Sequence, residues 1–426
     1  MEAADIRPVP DSAQNQSAAD LFLIFIGANI VATTFQVGAS LAGSFSLAAT
    51  LVLIALGSVA GAALVAALAP LGSRLRVPSV IAARPALGVG GASLVAVLLY
   101  GSNFAWIALN NVIAASACAR AAGVWLGPAF GAQMPWAIAL GLLATAVVWR
   151  GPRAVARADR IAVPLMLAVA VALTVACVRH TPETTTLPPM AMSWARGFDV
   201  VIGYQVSWIL MFADFSRYTR SPRGSAIAVF TALASTSIWM MPLGAVAARA
   251  AGTVDPGAML DAVGLGAAGA LLLALATVTT NFVNIYMSSL AWKSLTPRAR
   301  DASVIWSIGI VGTALGALPG VWLEQYTNFM VVLGGVLVPI GGLLVAHYYI
   351  RPARIDAALV DEMYQASGPF RGVLPAGIAA WATGAVVYFV AGRTDIGGTV
   401  PSLAASMAVY ALSAPRARRV IRAPLG

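Results

Sequence analysis

"GANIVATTFQVGAS", residues 27–40, lies inside an apolar stretch yet carries an Asn, two adjacent Thr, a Gln and two Gly. Gly, β-branched and amide side chains are weak helix formers. A membrane-spanning helix therefore has no structural need of them at its centre. In a lipid core every unpaired backbone group is costly, and an unwound segment persists only where it lines a cavity. Small residues also serve close packing between helices, so a partner segment is needed to decide between the two uses.

The rest of the chain sets the environment. Of 426 residues 60% are hydrophobic and 10% charged, with mean hydropathy +0.84, whereas a soluble domain carries roughly 25% charged residues. Apolar runs of about 17–25 residues, the length of a membrane span, are centred near residues 33, 57, 100, 140, 168, 206, 237, 277, 310, 338, 382 and 406. The expected fold is an all-α integral membrane protein of twelve transmembrane helices. Residues 1–19 contain carboxylates and lack the apolar region of a signal peptide, and are expected to be a solvated tail; 415–426 form a second tail.

Lys and Arg are retained on the cytoplasmic side of short loops. With the N-terminus inside, only Arg120, Arg179, Arg196, Arg249 and Arg393 of the 26 basic residues fall outside, so both termini are expected in the cytoplasm. The net charge of +10 is then a matter of topology and anionic lipid, not of nucleic acid. Cys118 and Cys177 fall near outer helix ends, where a free, packed role is expected for both.

The partner segment is "FDVVIGYQVSW", residues 198–208, in the sixth span, where Gly203, Gln205 and Ser207 interrupt an apolar run. Transporters built from inverted repeats of five helices have broken helices at positions 1 and 6, whose ends and freed carbonyls bind ion and substrate. Residues 20–180 and 197–350 are read as the two repeats and 371–414 as two further helices. No residue-level identity links the repeats, so this division rests on hydropathy and break positions.

Two more segments carry chemistry. "ATVTTNFVNIYMSS", residues 276–289, places Thr279 and Thr280 side by side in an apolar helix. Such hydroxyls suit sodium when joined by carbonyls of an unwound first span, or else simply bond the carbonyl three or four residues back. "YGSNFAWIALNNV", residues 100–112, puts Asn103, Trp106 and Asn110 on one helical face. An indole flanked by amides is a platform for a flat heterocycle, although many of the 11 Trp are expected to pack on lipid or neighbours.

With "GANIVATTFQVGASL", "RVPSVIAARPALG", "ADFSRYTRSPR", "TTNFVNIY" and "VPIGGLLVAHYYIRP" in this order, nearly the whole chain resembles the nucleobase/cation symporter-1 family, and especially its bacterial cytosine permease-like branch. The resemblance implies a five-plus-five inverted-repeat core with two added helices, moving a nucleobase or related ring with sodium or sometimes protons. It implies a sodium site of the Gly27, Ile30 and Ala276 carbonyls with the Thr279 and Thr280 hydroxyls. It also places Val31 against the substrate, Trp106 on the ring, Asn103 or Asn110 at its polar edge, and Gln205, Ser207 and Asn281 around it. Where cytosine permeases carry ring-facing aromatics this chain has Val31 and Gln205, so one stacking partner is expected. Asp214 is expected to face Arg217 and Arg220 and to clamp or gate the inner end of the sixth span. His347 falls where relatives have an acidic residue and is expected to be a solvated helix-end side chain, with proton sensing as the other role.

No Asp, Glu or Lys lies near the middle of a span, where proton relays place them. This favours sodium. The same absence speaks against an embedded enzyme and a charged-ring channel, and "GVGGAS" near residue 88 lacks the Lys and preceding strand of a phosphate loop and reads as a helix start. The expectation is a monomeric multi-pass symporter of the bacterial inner membrane. It imports a nucleobase-like heterocycle with co-transported Na+ by alternating access, and needs no cofactor. Hydroxymethylpyrimidine or another thiamine-related ring, a hydantoin or allantoin, and H+ coupling are the alternatives.

Overall fold

The computed structural model describes residues 6–414 apart from 180–186, 188–189, 297, 319–320, 352–354 and 366. Its first span is broken. Helix α1 (Ala18–Asn29) starts at a reciprocal cap, in which the Asp20 amide donates to Ser17 Oγ and the Ser17 amide to the Asp20 carboxylate. It stops at Asn29, because Ile30 (φ −82°, ψ 73°) and Val31 (φ −138°, ψ 162°) leave the helical region. Helix α2 (Ala32–Leu41) then departs at 57° to α1.

The remaining main helices are α3 (Leu47–Leu75), α4 (Arg84–Trp125), α5 (Gln133–Trp149), α6 (Pro152–Arg179), α7 (Trp194–Val206), α8 (Pro222–Ala251), α9 (Gly266–Leu295), α10 (Asp301–Gly316), α11 (Tyr326–Val345), α12 (Pro375–Ala391) and α13 (Thr399–Ser413). Every expected span centre falls inside one of these helices. By length and composition alone, α3, α4, α8, α9 and α11 are each able to cross a membrane, as is the bent pair α1 and α2, while α5, α10, α12, α13 and the Pro164–Arg179 part of α6 are shorter apolar helices. Their outward faces fit lipid: Val52 and Leu56 on α3 are more than half exposed, a cost in water that vanishes in hydrocarbon.

Small residues let the broken span lean on its neighbour. A Cβ added to Gly38 would meet the Met241 carbonyl oxygen at 1.6 Å, and one on Gly244 the Phe35 carbonyl at 1.8 Å. Thus α2 and α8 cross almost backbone to backbone. Within α4, Gly88 takes a positive φ of 79°, and the next amides, Val89 and Gly90, donate to the Phe370 and Gly372 carbonyls at 2.8 and 2.6 Å. "GVGGAS" is therefore where a helix restarts, its first donors satisfied by the loop before α12.

The sixth span breaks differently from the first. After Val206 the chain tightens through residues 207–211 and again through 216–218, and none of the φ and ψ angles at the ends of these turns is extended before Thr219. This is a change of pitch, not an open joint.

Residues 6–17 correct the expectation of a solvated tail over 1–19, whose first five residues lie outside the described ones. The Val9 amide donates to Arg76 O at 2.8 Å, the Gln16 amide to Tyr218 O at 3.1 Å, and Gln14 Nε2 to both Ser73 O and Arg217 O at 3.0 Å. Helix ends leave carbonyls without intrahelical partners, and this polar segment supplies donors to them. The tail expected at 415–426 lies outside the described residues. Cys118 and Cys177 are both buried, and neither forms a disulfide.

Candidate functional site

Asn29 and Thr34 hold the joint between α1 and α2 open. The Asn29 amide donates to Thr236 Oγ1 (2.6 Å) and Ser237 Oγ (2.9 Å) on α8, while the Thr34 hydroxyl donates back to the Asn29 carbonyl at 2.6 Å. Since the Thr34 proton is thereby used, the 2.5 Å bond between Thr34 Oγ1 and the Tyr204 phenol is donated by the tyrosine. From α11 the Tyr326 hydroxyl donates to Thr33 O at 2.7 Å. The Thr34 hydroxyl thus replaces a helical bond lost at the Asn29 carbonyl, and side chains of α7, α8 and α11 anchor the residues on either side of the joint. The Gly27 and Ile30 carbonyls receive no backbone amide among the described residues.

The joint faces a cavity of about 550 Å³, partly open to solvent, enclosed with α4, α9 and the tight turns after α7. Val31, Asn103, Trp106, Asn110 and Ser207 line it, as does Thr280. The Thr280 Oγ1 is buried without a partner. Thr279 is less open: its hydroxyl donates to Ala276 O at 2.8 Å and approaches Met166 Sδ at 3.7 Å. Its oxygen keeps lone pairs for a cation, but it also makes the ordinary back-bond of a helical threonine.

Two expected ring contacts are placed elsewhere. Gln205 is fully buried between α3 and α8, its Nε2 pointing to Ser58 O and Leu233 O at 3.4 Å; helical geometry turns the adjacent Tyr204 into the cavity instead. Asn281 sits behind the wall. It accepts from Asn110 Nδ2 at 3.1 Å, donates to Asn111 Oδ1 at 2.8 Å and lies near Asn284, so it orients amides that reach the cavity.

Tyr204, Trp208, Asn284 and Thr33 also line the cavity. Where one stacking partner is expected from the sequence, three aromatic side chains line the cavity: Trp106, Tyr204 and Trp208. Trp106 meets Tyr204 and Phe329 nearly edge-on, with centroids 5.7 and 5.3 Å away. Tyr204 and Asn284 were visible as polar or aromatic residues inside apolar spans, but a one-residue choice of helical face was not. No residue lining this cavity carries a formal charge.

Asp214 lies outside it. Its carboxylate accepts from Ser79 Oγ at 2.5 Å, and the same oxygen of Ser79 accepts the Ala213 amide at 2.8 Å. Ser79, in the segment before α4, is its hydrogen-bond partner, and the buried Arg217, which also stacks over Tyr218, acts on the carboxyl through its charge, while Arg220 is exposed. His347 is not solvated: it belongs to a π-turn at 346–350, is half-buried, and its Nδ1 is 2.7 Å from the Tyr410 hydroxyl of α13.

The profile of the family described as permeases for cytosine/purines, uracil, thiamine and allantoin matches residues 8–412. The cytosine permease of Escherichia coli K12 is 24% identical over 387 residues, 89% of each chain. A Bacillus subtilis protein named a purine-cytosine permease is 25% identical over 402 residues, 87% of this chain and 83% of that one. Among solved structures, the nucleobase-cation-symport-1 transporter Mhp1, closed with bromovinylhydantoin bound, is similar with TM-score 0.78 at 17% identity, over 96% of this chain and 94% of its own. Inward-facing Mhp1 gives 0.79 at 17% identity, over 95% and 93%. An outward-open Na+-coupled sialic acid symporter gives 0.59 at 12%, over 95% and 92%. These structural likenesses show the fold.

The joint's side-chain support is testable by itself. Thr34→Val keeps the shape but leaves the Asn29 carbonyl without its side-chain donor, at a cost of about 1–3 kcal/mol when buried, and removes one of the two threonine hydroxyls bonded to the Tyr204 phenol. The melting temperature of the purified protein should fall clearly, whereas Thr231→Val, whose exposed hydroxyl only back-bonds to Ile227 O, should leave it unchanged. Equal melting of Thr34→Val and wild type would contradict the role given to Thr34.

Proposed function

The chain belongs to the family of permeases for cytosine/purines, uracil, thiamine and allantoin, a multi-pass membrane transporter and not an enzyme, and we propose that it imports a neutral flat nitrogen heterocycle together with sodium. One observation carries the substrate class. In a cavity walled by Trp106, Tyr204 and Trp208, Asn103 Nδ2 and Asn110 Oδ1 are both buried without partners. A free donor and a free acceptor beside aromatic rings match a ring bearing an acceptor and a donor on its edge, as in the lactam of a pyrimidine or purine. A buried polar group left unpaired is costly, so such a ligand gains twice, by its own bonds and by relieving the site. Asn284 and Ser207 supply further polar contacts, Val31 closes the cavity on the joint side, and Asn281 acts through Asn110.

Sodium is cargo in this reading. Its ligands are the Gly27 and Ile30 carbonyls with Thr280 Oγ1, completed by Ala276 O and Thr279. The orphaned hydroxyl of Thr280 and the freed carbonyls support this oxygen set, which suits a hard cation. The uncharged lining supports sodium over protons, since proton relays use ionisable side chains.

The remaining parts are proposed from the same fold. Twelve crossings place both termini in the cytoplasm of a bacterium, with a five-plus-five core over 20–180 and 197–350 and two added helices in 371–414 of the inner membrane. The transporter works as a monomer without a cofactor. Relatives named for cytosine and purine favour a nucleobase over hydroxymethylpyrimidine, hydantoin or allantoin.

A thermal-shift screen in sodium chloride tests the substrate class, because a ligand stabilises according to its occupancy. Neutral pyrimidines, purines or hydantoins should raise the melting temperature, and the cation thiamine should not; stabilisation by charged compounds alone would overturn the reading. For the best ligand, Trp106→Ala should weaken binding about thirtyfold, on the order of 2 kcal/mol of lost ring contact and apolar burial. Trp106→Phe should retain most of it. Affinity of Trp106→Ala within a factor of two of wild type would remove Trp106 from the site.

A further inference from the structure

We propose that residues 6–17 form a strap that closes the exit of the cavity at the end of the molecule carrying the N-terminus, with Ile6 as its plug. A second, smaller cavity is lined by Ile6, Pro78, Leu99, Asp214, Met287 and Ala291, among others. It continues the first along the same helix faces. Leu99 borders both; on α9, Val283 lines the first cavity while Met287 and Ala291, four and eight residues on, line the second; after α7, Met211 lines the first and Asp214 the second. Four helical residues advance about 6 Å, so the small cavity lies directly below the large one, and Ile6 occupies its wall.

Both ends of the strap are fastened. At one end the Tyr364 hydroxyl donates to Ile6 O. Tyr364 closes a short helix (Ala357–Tyr364) pinned to the start of α4, since Arg84 Nη1 donates to Met363 O at 2.7 Å and the guanidinium lies 5.8 Å over the Tyr364 ring. At the other end, Gln14, itself buried, bridges Ser73 O at the end of α3 and Arg217 O beyond α7. Between them Val9 bonds to Arg76 O and Asp11 pairs with Arg76. The strap therefore ties the α4 side of the exit to the α3 and α7 side. Separation of these walls, which any passage below Leu99 requires, has to release Ile6 from Tyr364 or break the bonds that Val9, Asp11 and Gln14 make to the other side, so the fastening sets how often the exit opens.

This inference rests on the transport reading only in calling the cavity a path, and its test uses neither substrate nor a sodium gradient, so the two fail separately. In the full-length protein, Ala291→Cys places a thiol in the lower cavity, and its labelling by a hydrophilic maleimide reports opening; Cys118 and Cys177 are buried, and wild type gives their background. Adding Ile6→Gly or Gln14→Ala should speed labelling of Cys at that position about tenfold, and Tyr364→Phe, which deletes one hydroxyl and guards against misfolding, several-fold. Labelling of all three within twofold of the Ala291→Cys parent would overturn the strap.

Discussion

The satisfaction of backbone groups at the Ile30–Val31 joint is the constraint on which the site depends. A helix interrupted in a bilayer cannot turn to water for hydrogen bonds. Here Thr34 caps the Asn29 carbonyl, the Asn29 side-chain amide is held by hydroxyls of Thr236 and Ser237, and Tyr204 and Tyr326 bond to the Thr34 hydroxyl and the Thr33 carbonyl from two other helices. These bonds hold the 57° bend, while the Gly27 and Ile30 carbonyls receive no backbone amide among the described residues. Gly38 and Gly244 make the arrangement possible, because only glycines let α2 press its backbone against α8.

Under the sodium symport proposed above, coupling follows from that architecture. Thr280 stands on the same helix as Asn284, and Val31 on the same joint as the freed carbonyls, so an ion bound as proposed stiffens a wall of the cavity. Tyr204 adds a direct link, since it lines the cavity while its phenol bonds to Thr34. A ligand that orders one set lowers the ordering cost of the other, which is positive cooperativity without a long pathway.

The membrane class and the helix positions were legible in the apolar runs, and the first break in its Asn, Thr and Gly. The third-span face of Asn103, Trp106 and Asn110 was legible because α4 is regular there. What failed did so where geometry departs from an ideal helix or partners are distant in sequence. The resemblance points to Gln205, whereas its neighbour Tyr204 lines the cavity: successive residues turn by about 100°, and the register near the tightening at Val206 is not written in the residue types. Asn281 and Asn284 share a face, but which of them reaches the cavity depends on Asn110 and Asn111 of α4. The N-terminal segment is polar and reads as solvated, whereas the carbonyls of Ser73, Arg76, Arg217 and Tyr218 that accept its hydrogen bonds come together only once the helix ends are assembled. His347 likewise finds Tyr410 across 63 residues.

The most direct measurement is the affinity of the purified protein for its best-stabilising heterocycle, titrated calorimetrically in sodium chloride and again in choline chloride. Binding should be about tenfold or more tighter in sodium, the size of an ordinary coupling free energy, and Thr280→Val should bind alike in both salts with the affinity wild type shows in choline. Equal affinity of wild type in the two salts would contradict the claim that the broken first span joins an ion site to the ring cavity.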